Sequence, residues 1–366
     1  MANKVTVGII GCGNISGAYF SGCAAYDWLE VVACADLDPA RAKAKADEFK
    51  VPKTCSPDEL LRDPDVQIVV NLTIPKAHAE INLAALEAGK HAHCEKPFAL
   101  TRADGARVLE AARTKGLRAG CAPDTFLGAG GQTARGLLAA GAIGRPVAGT
   151  AFWAGHGHES WHPDPEFYYK QGGGPMLDMG PYYVTALVNL LGPVKRVAGL
   201  TAKSFPERDI TSDPKRLRRV TVETSTHLTG VLEFKSGAIV TTIQSFDVWA
   251  HSLPVIELHG TEGSMTVPDP NGFGGPVKVR KPGEKEWKEM PLTHSDKVRR
   301  GIGVADLARG VLTGRPHRVS GALAQHVLDV MLAFDDSSAS GKHVAMTSRC
   351  DRPAPLPPGL PLGSLD

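Results

Sequence analysis

The first third of the chain alternates short apolar runs with stretches in which apolar residues recur every three or four positions. The apolar runs are rich in β-branched residues, and the stretches between them have the spacing of amphipathic helices. The predicted strands are residues 5–10, 29–34, 68–72, 91–94 and 117–121, and the predicted helices are residues 39–50, 57–62, 77–88 and 101–115. This alternation is typical of βαβ units, so residues 1–122 are predicted to form an α/β domain around a parallel sheet.

Beyond residue 122 the pattern changes to long alternating segments, which are typical of antiparallel sheet. Residues 220–234 and 238–246 flank the predicted hairpin turn Lys235-Ser236-Gly237. Two further strand pairs are predicted at residues 255–259 with 264–267 and at residues 277–280 with 286–290. Helical spacing recurs at residues 131–140, in a segment that ends at residue 191, and at residues 322–339. Residues 123–366 are therefore predicted to form an α+β domain with a mostly antiparallel open sheet.

Composition places the chain among globular proteins and excludes two kinds of partner. Hydrophobic residues make up 42% of the 366 residues, charged residues make up 22%, and the net charge of +2 is scattered along the chain. Scattered charge does not form the basic patch that nucleic-acid binding requires, and no apolar stretch reaches the about 20 residues that span a bilayer. Seven cysteines without framework spacing fit a reducing compartment. We expect a cytoplasmic protein that binds neither nucleic acid nor membrane.

The first candidate site is a glycine turn between the first strand and a helical pattern. It comprises Gly11-Cys12-Gly13-Asn14-Ile15-Ser16-Gly17, in which Ser16 stands where a third glycine is usual. Glycines let the backbone approach a pyrophosphate, which binds the free N–H groups at the helix start. Asp36 follows about 20 residues later at the end of the second strand, where a carboxylate binds the ribose hydroxyls and repels a 2′-phosphate. This order predicts a Rossmann dinucleotide-binding domain that takes NAD in preference to NADP.

The second candidate site is Glu95-Lys96-Pro97, which follows the fourth predicted strand. Ligands of doubly wound sheets bind beyond the carboxyl ends of the strands, so this loop and the loop after Asn71 are expected near the nicotinamide. A lysine that is partly buried beside a positive ring has a depressed pKa and can hold or relay a hydroxyl proton. The alternative for Lys96 is a solvated lysine at a strand end.

The third candidate site follows the glycine run Gly172-Gly173-Gly174 and opens an apolar helix. Asp178 and Tyr182 are four residues apart and share one face if the helix has begun by then. Pro181 is tolerated only in a first turn, so the helix is expected to start close to Asp178. The alternative is that Asp178 caps the helix and that Tyr182 is a buried aromatic residue.

These three sites in this order resemble the Gfo/Idh/MocA family, the relatives of glucose-fructose oxidoreductase and inositol dehydrogenase. The resemblance runs from residue 5 to about residue 344, and Glu95-Lys96-Pro97 is its most specific mark. It implies that Lys96 is catalytic and that the glycine turn, Asp36 and the loops after the third and fourth predicted strands contact NAD(P). The implied cofactor contacts are Gly11, Gly13, Asn14, Ile15, Asp36, Thr73, Pro75, His78, Glu95 and Lys96.

The chain departs from the family pattern at one position. The pattern after the glycine run is Asp-x-Gly-x-His, with the histidine as acid/base, and Tyr182 stands at the histidine position here. A tyrosine has a pKa near 10 and is a poor base unless a neighbouring cation lowers that pKa. Lys96 is a candidate for that cation; otherwise Lys96 transfers the proton alone or the reaction is modified. We assign the catalytic roles to Lys96, Tyr182 and Asp178.

A segment rich in histidine and tryptophan precedes the glycine run. It contains His156, His158 and His162 together with Glu159 and Trp161. Metal binding, packing and substrate contact are the three interpretations; we expect substrate contact and no metal, because aromatic faces stack on sugar rings and imidazoles bind hydroxyls. The expected substrate contacts are Lys96, Asp124, His156, Trp161, His162, Asp178 and Tyr182.

The sequence thus predicts an NAD(P)-dependent dehydrogenase or reductase that moves a hydride to or from a carbinol carbon of a sugar, cyclitol or glycoside. A homo-oligomer, either a dimer or a tetramer, is expected from an exposed antiparallel sheet. Two alternatives stay open: an NAD-dependent glycoside hydrolase that oxidises its substrate transiently, and a non-catalytic NAD-binding sensor.

Overall fold

The computed structural model describes residues 4–366 and divides them into two compact units. The first unit contains the chain up to Gln132 together with Thr293–Leu328 and Pro353–Asp366. The second unit contains Thr133–Leu292 and Asp329–Arg352. Each unit is built around one large sheet.

The first unit contains a six-stranded parallel sheet. Its strands are β1 Val5–Ile10, β2 Leu29–Ala35, β3 Lys53–Cys55, β4 Ile68–Asn71, β5 His91–Cys94 and β6 Ala119–Cys121. The strand order is β3-β2-β1-β4-β5-β6, in which the order reverses between β1 and β4. This is the doubly wound Rossmann arrangement, and its ligands bind at that reversal point. The predicted parallel sheet is confirmed, and β3, which has only three residues, is an addition to it.

Helices cover this sheet and begin at residues that favour helix starts. They are α1 Ser16–Cys23, α2 Pro39–Phe49, α3 Pro57–Arg62, α4 His78–Glu87 and α5 Arg102–Thr114. The side chains of Asp38, Ser56 and Thr101 accept backbone N–H groups at the starts of α2, α3 and α5. Each such cap satisfies an N–H that the helix itself leaves without a partner. The predicted helices agree with these to within one or two residues at each end.

The division into units differs from the predicted boundary after residue 122. Residues 293–328 and 353–366, which were assigned to the second domain, belong to the first unit. The physical reason is close packing, since a Cβ on Gly22 would lie 1.7 Å from the Arg300 carbonyl oxygen and His317 Nε2 lies 3.0 Å from the Ala119 carbonyl oxygen. Residues 1–3 of the predicted first domain lie outside the described residues.

The second unit contains a nine-stranded sheet and a separate two-stranded one. The strands are β7 Pro146–Ala154, β8 Val194–Ala202, β9 Glu207–Asp209, β10 Arg219–Thr221, β11 His227–Phe234, β12 Ile239–Ser245, β13 Ile256–Gly260, β14 Gly263–Val267, β15 Val277–Arg280, β16 Lys288–Met290 and β17 Val344–Ala345. The large sheet has the order β16-β15-β14-β13-β7-β12-β11-β8-β17, and β9 pairs with β10. Among the described strands of the large sheet, β7 and β12 pair in parallel and the other pairs are antiparallel. The predicted mostly antiparallel sheet is confirmed.

Five more helices complete the described chain. They are α6 Ala129–Ala139, α7 Pro175–Asp178, α8 Gly180–Leu191, α9 Ile302–Thr313 and α10 Gly321–Ser340. The predicted strand at residues 220–234 is wrong in one respect, because the structure divides it into β10 and β11 in two different sheets. Strands β7 and β8 were not predicted, since neither has a strict apolar alternation. Helix α9 was also not predicted, although Val304, Leu307 and Val311 recur at helical spacing in it.

The large sheet has one buried face and one exposed face. Leu232, Phe234 and Val240 are fully buried, and Phe334 of α10 packs against Gly199 and Gly230 on the same face. The strand register places Leu200, Val231 and Ile239 on the opposite face, where they are 68%, 38% and 51% exposed.

His93 of β5 is fully buried within the parallel sheet. Neither ring nitrogen has a hydrogen-bond partner within residues 4–366, and Cβ positions built on Gly120 and Gly303 come within 2.9 Å and 3.1 Å of the ring. Burial, with a smaller contribution from His317, lowers the pKa of His93 to about 3. The folded protein therefore holds His93 as the neutral imidazole at neutral pH.

We predict that His93 makes stability fall as the pH falls. The unfolded chain protonates this histidine below about pH 6.5, whereas the folded protein resists protonation down to about pH 3. One proton of this kind changes the free energy of unfolding by about 1.4 kcal/mol per pH unit. Urea unfolding of His93→Leu at pH 7 and pH 5 should give a smaller difference than the unmodified protein does. The control is His251→Leu at a solvent-exposed position, and equal differences in all three proteins would contradict the prediction.

Candidate functional site

The glycine turn after β1 lies against the end of β4. Gly11 has a φ of +100°, and a Cβ there would lie 2.7 Å from the Leu72 carbonyl, so both the backbone conformation and the close approach require glycine. A Cβ on Gly13, in contrast, would meet nothing within 4 Å. Gly13 therefore presents bare backbone to open space beside the reversal point, as a turn that binds a pyrophosphate must.

Ser16 occupies the position of the missing third glycine without disturbing the turn. Its side chain is fully buried, and its Oγ donates a 2.7 Å hydrogen bond to the Gly13 carbonyl. Helix α1 has no side-chain cap and no acidic residue in its first turn. Its partial positive charge and its first N–H groups, which follow Asn14 and Ile15, are thus not neutralised by a carboxylate of the helix itself.

Asp36 directly follows β2 and lies beside this turn. Its Oδ2 accepts the Cys12 N–H at 2.7 Å, and its Oδ1 accepts the Asp38 N–H at 2.9 Å. These two bonds fix the carboxylate at the rim of the glycine turn. The arrangement fits NAD: the turn around Gly13 and the start of α1 would hold the pyrophosphate, and Asp36 would accept hydrogen bonds from the ribose hydroxyls.

The loop after β4 is organised by Asn71, a residue that the sequence analysis did not place in the site. Its buried side chain accepts the Thr73 Oγ–H at 2.6 Å and donates to the His78 carbonyl at 3.0 Å. Pro75 opens a short 3₁₀ turn between these residues. An asparagine at the end of an otherwise apolar buried strand is the signal that would have identified it.

His78 is bound by two backbone carbonyls of the protein, and its role as a cofactor contact stays a prediction. Its ring is fully buried, with Nδ1 2.7 Å from the Pro97 carbonyl oxygen and Nε2 3.0 Å from the Thr73 carbonyl oxygen. Burial lowers the pKa of His78. The imidazole therefore joins the loop after β4 to the loop after β5, and both of its nitrogens are used by the protein.

Glu95 and Tyr19 form a buried pair under Lys96. Tyr19 donates its hydroxyl to Glu95 Oε1 at 2.7 Å, and the Lys96 backbone N–H donates to Glu95 Oε2 at 3.0 Å. Burial and the Glu95 charge hold the pKa of Tyr19 well above its usual value. Lys96 itself is half-buried. Glu95 thus fixes the backbone from which the Lys96 side chain projects.

Asp124 is bound by backbone N–H groups of the protein, and its role as a substrate contact stays a prediction. It is buried, and its Oδ2 accepts the N–H groups of Gly301 and Gly303 at 2.9 Å and 3.0 Å, at the start of α9. Burial raises the pKa of Asp124 to about 6, although these two hydrogen bonds and the charge of Arg300 oppose the increase. Its role is to hold the start of a helix.

In the second unit, the glycine run leads into two helices instead of one. Gly174 has a φ of +87°, and a Cβ on Gly173 would lie 2.5 Å from two carbonyl oxygens, so the chain turns tightly here. Helix α7 ends at Asp178, and α8 begins at Gly180 because Pro181 has no N–H for a continuous helix. The predicted start of α8 near Asp178 is confirmed. Asp178 and Tyr182, however, do not belong to the same helix.

Asp178 lies just before the N-cap residue of α8 and has a histidine among its partners. The N-cap residue of α8 is Met179, which makes no side-chain cap, whereas Asp178 Oδ2 lies 2.9 Å from His158 Nε2. Both side chains are largely buried, with exposures of 14% for Asp178 and 10% for His158. Tyr182 lies in the first turn of α8 and is also buried. His158 was noted in the sequence but was not among the predicted site residues.

The segment that contains the histidines forms two groups. Trp161 is 61% exposed, and its ring centroid lies 5.1 Å from that of His158 and 5.3 Å from that of His162. His156 lies apart and stacks on Trp249 at 3.3 Å, with Trp249 82% exposed. Burial lowers the pKa values of His156 and His162. The two exposed tryptophans are flat apolar surfaces of the kind that bind sugar rings.

A buried ionic network anchors this segment. Arg208 donates to Glu159 at 2.9 Å and to the Phe246 carbonyl at 2.7 Å, and it also pairs with Asp247. Tyr169 donates its hydroxyl to Glu159. Breaking such a network leaves a buried charge without a partner, so it holds Glu159 and the adjoining His158 in one position.

Lys96 belongs to the first unit, and Asp178 and Tyr182 belong to the second, so the predicted Lys96–Tyr182 pair stays a prediction. Within residues 4–366, no group of three or more His, Cys, Asp or Glu side chains is arranged to hold a metal ion. In the same part of the chain, no helix has both the length and the apolar character needed to cross a membrane.

The chain matches two domain profiles of one family over most of its length. Residues 5–122 match the oxidoreductase family with an NAD-binding Rossmann fold, and residues 132–266 match the GFO/IDH/MocA C-terminal domain. Among solved structures, it superposes on levoglucosan dehydrogenase in complex with NADH and L-sorbose with a TM-score of 0.81 and 21% identity, over 94% of this chain and 99% of that one. Similarity at this identity shows the fold.

Curated relatives share the sequence more closely. The chain is 32% identical over 265 residues to a 1,5-anhydro-D-fructose reductase of Ensifer adhaerens, a match that covers 70% of this chain and 74% of that protein. It is 38% identical over 114 residues to an inositol 2-dehydrogenase of Salmonella typhimurium, which covers 30% of this chain and about a third (34%) of that protein. The chain therefore belongs to the Gfo/Idh/MocA family and is an oxidoreductase with an NAD-binding Rossmann domain.

Proposed function

We propose that the protein is an NAD-dependent dehydrogenase or reductase that acts on a CH–OH group of a sugar or cyclitol. The observation that carries the proposal is the bare Gly13 backbone beside the fixed Asp36 carboxylate, in a chain that retains Lys96 in Glu95-Lys96-Pro97. The names of its relatives, an anhydrofructose reductase and an inositol dehydrogenase, support this substrate class. When bound, NAD accepts or donates the hydride.

The proposed roles of the protein's own residues concern the hydroxyl proton. Tyr182 exchanges the proton, the charge of Lys96 stabilises the phenolate that this exchange requires, and Asp178 orients the reacting groups. Exposed Trp161 and the Trp249–His156 stack offer faces for a sugar ring, with His162 beside Trp161 as a hydroxyl partner. The homo-oligomeric state and the cytoplasmic location stay predictions, and the exposed face with Leu200, Val231 and Ile239 is our candidate for subunit contact.

The experiment is a panel of sugars and cyclitols, tested with NAD+ and with NADH while absorbance at 340 nm is recorded. A net change in NADH with at least one member of the panel supports the proposal. Product formation without a net change would indicate transient oxidation instead. NAD binding without turnover on any member of the panel would contradict the proposal for this substrate class.

We predict that NAD binds more tightly than NADP and that Asp36→Asn narrows the difference. The asparagine keeps an oxygen for the Cys12 N–H but removes the negative charge that would face a 2′-phosphate. Losing one such repulsion should improve relative NADP binding by roughly tenfold, which corresponds to about 1.4 kcal/mol. Titration of both cofactors measures this, with the exposed helix cap Asp38→Asn as the matched control. Equal affinities in the unmodified protein would remove Asp36 from this role.

We predict that Lys96→Met lowers turnover by about a hundredfold or more and leaves NAD affinity within a few fold. The methionine keeps the apolar part of the side chain and removes the charge that assists proton transfer. Steady-state kinetics and a cofactor titration separate the two effects. Lys115→Met, at an exposed position after α5, is the control. Near-normal turnover of folded Lys96→Met would assign Lys96 to the solvated surface.

We predict that Tyr182→Phe lowers turnover by about 10²–10⁴-fold, because it removes only the hydroxyl and keeps the buried ring. Tyr183→Phe is the matched control, since Tyr183 is the next residue of α8 and is also buried. Thermal unfolding should show that both variants keep their packing. Retention of most activity in Tyr182→Phe would mean that Lys96 or a histidine handles the proton.

A further inference from the structure

We propose that His158 is a positioning residue, which holds the Asp178 carboxylate in the orientation that the reaction needs. The inference rests on the proposed function, in which Asp178 orients the reacting groups. Its starting point is the 2.9 Å contact between His158 Nε2 and Asp178 Oδ2, made by two largely buried side chains. The chain thus places an imidazole next to this aspartate although position 182, where the family pattern has histidine, is a tyrosine.

The surroundings of His158 select one tautomer. Its Nδ1 is buried and has no hydrogen-bond partner within residues 4–366. A proton on Nδ1 would be an unsatisfied buried donor, and the lone pair of Nε2 would then face a carboxylate oxygen. A proton on Nε2 avoids both costs and donates to Asp178. The neutral imidazole with its proton on Nε2 is therefore the state that the geometry supports.

Aromatic rings fix the plane of this imidazole. The ring centroids of Tyr168, Phe246 and Trp161 lie 4.2 Å, 4.9 Å and 5.1 Å from that of His158. These contacts leave the ring little freedom to rotate away from Asp178. A donor whose direction is set by packing is what holds a carboxylate in one orientation.

The backbone around His158 is fixed as well. The His158 N–H donates to the Tyr169 hydroxyl at 3.3 Å, and that hydroxyl donates to the carboxylate of Glu159. The carbonyl of Glu159 accepts the N–H groups of Thr211 and Ser212, each at 2.9 Å. Arg208, which bonds to the Glu159 carboxylate and to the Phe246 carbonyl, thus helps to fix the same two residues. Such support is more than a surface loop needs, and it fits a side chain whose position matters for function.

The test compares two replacements that separate donation from packing. His158→Phe keeps an aromatic ring in the aromatic surroundings but has no donor, whereas His158→Gln keeps an N–H that can reach Asp178. We expect kcat to fall by about 10²-fold in His158→Phe and to stay within about fivefold in His158→Gln, with NAD affinity unchanged in both. His259→Phe in β13 is the control. A purely packing role would give the opposite order, with phenylalanine tolerated better, and that order would overturn the proposal.

A second comparison asks whether His158 acts through Asp178. In an Asp178→Asn background, His158→Phe should lower kcat by less than about threefold, because the Asp178 carboxylate that His158 orients is already absent. A loss as large as that in the unmodified background would show that His158 acts independently of Asp178 and would overturn the proposal.

The tautomer is measured on the unmodified protein without turnover. In ¹⁵N-histidine-labelled protein at neutral pH, the His158 ring signals are identified by their absence in His158→Gln. They should show a protonated Nε2 and an unprotonated Nδ1. The reverse tautomer would overturn the inference even if the enzyme is active. The expected tautomer in a protein that turns over no sugar or cyclitol would leave the His158–Asp178 pair intact and reject the proposed substrate class.

Discussion

The part of the site in the first unit depends on the hydrogen bonds that the buried Glu95 carboxylate accepts. A carboxylate removed from water must be given donors by the protein, and here they come from the Tyr19 hydroxyl of α1 and the Lys96 backbone. One donor thus comes from the helix that follows the glycine turn, and the other comes from the residue proposed to act on substrate. The cost of leaving this carboxylate without partners therefore couples the position of α1 to the position of Lys96.

The second unit uses the same device at Glu159. Its carboxylate is buried and is satisfied by Arg208 and Tyr169, which come from other parts of the chain. Satisfying it holds the backbone on which His158 stands, much as satisfying Glu95 holds the backbone of Lys96. In both units, the residue next to the buried carboxylate is the one with a proposed part in the chemistry. Buried polar groups of this kind confer a definite position more than they add net stability.

The sequence alone was sufficient wherever the relevant signal is local. The glycine turn, Asp36 and the strands around them could be predicted because a short period and a fixed spacing encode them. The hydrogen-bond partners of Asp124 and His158 could not be predicted, because they lie 177 and 20 residues away in the chain. The same holds for the partners of His78, since only the folded protein brings the Pro97 and Thr73 carbonyls to its two nitrogens. Strands β7 and β8 were missed because tertiary packing, and not apolar alternation, defines them.

The two departures from the family pattern illustrate how such a site tolerates substitution. Ser16 replaces a glycine that normally permits close packing, and its hydroxyl bonds to the Gly13 carbonyl inside the same turn, so the change is absorbed locally. Tyr182 replaces the histidine that is the acid/base in the family pattern. A new hydrogen bond in the same turn cannot replace a group that accepts a proton. In our proposal Tyr182 exchanges the proton, and His158, from a segment that a buried ionic network holds in place, orients Asp178. A steric departure needs one new contact, whereas a chemical departure needs a new group and the structure that orients it.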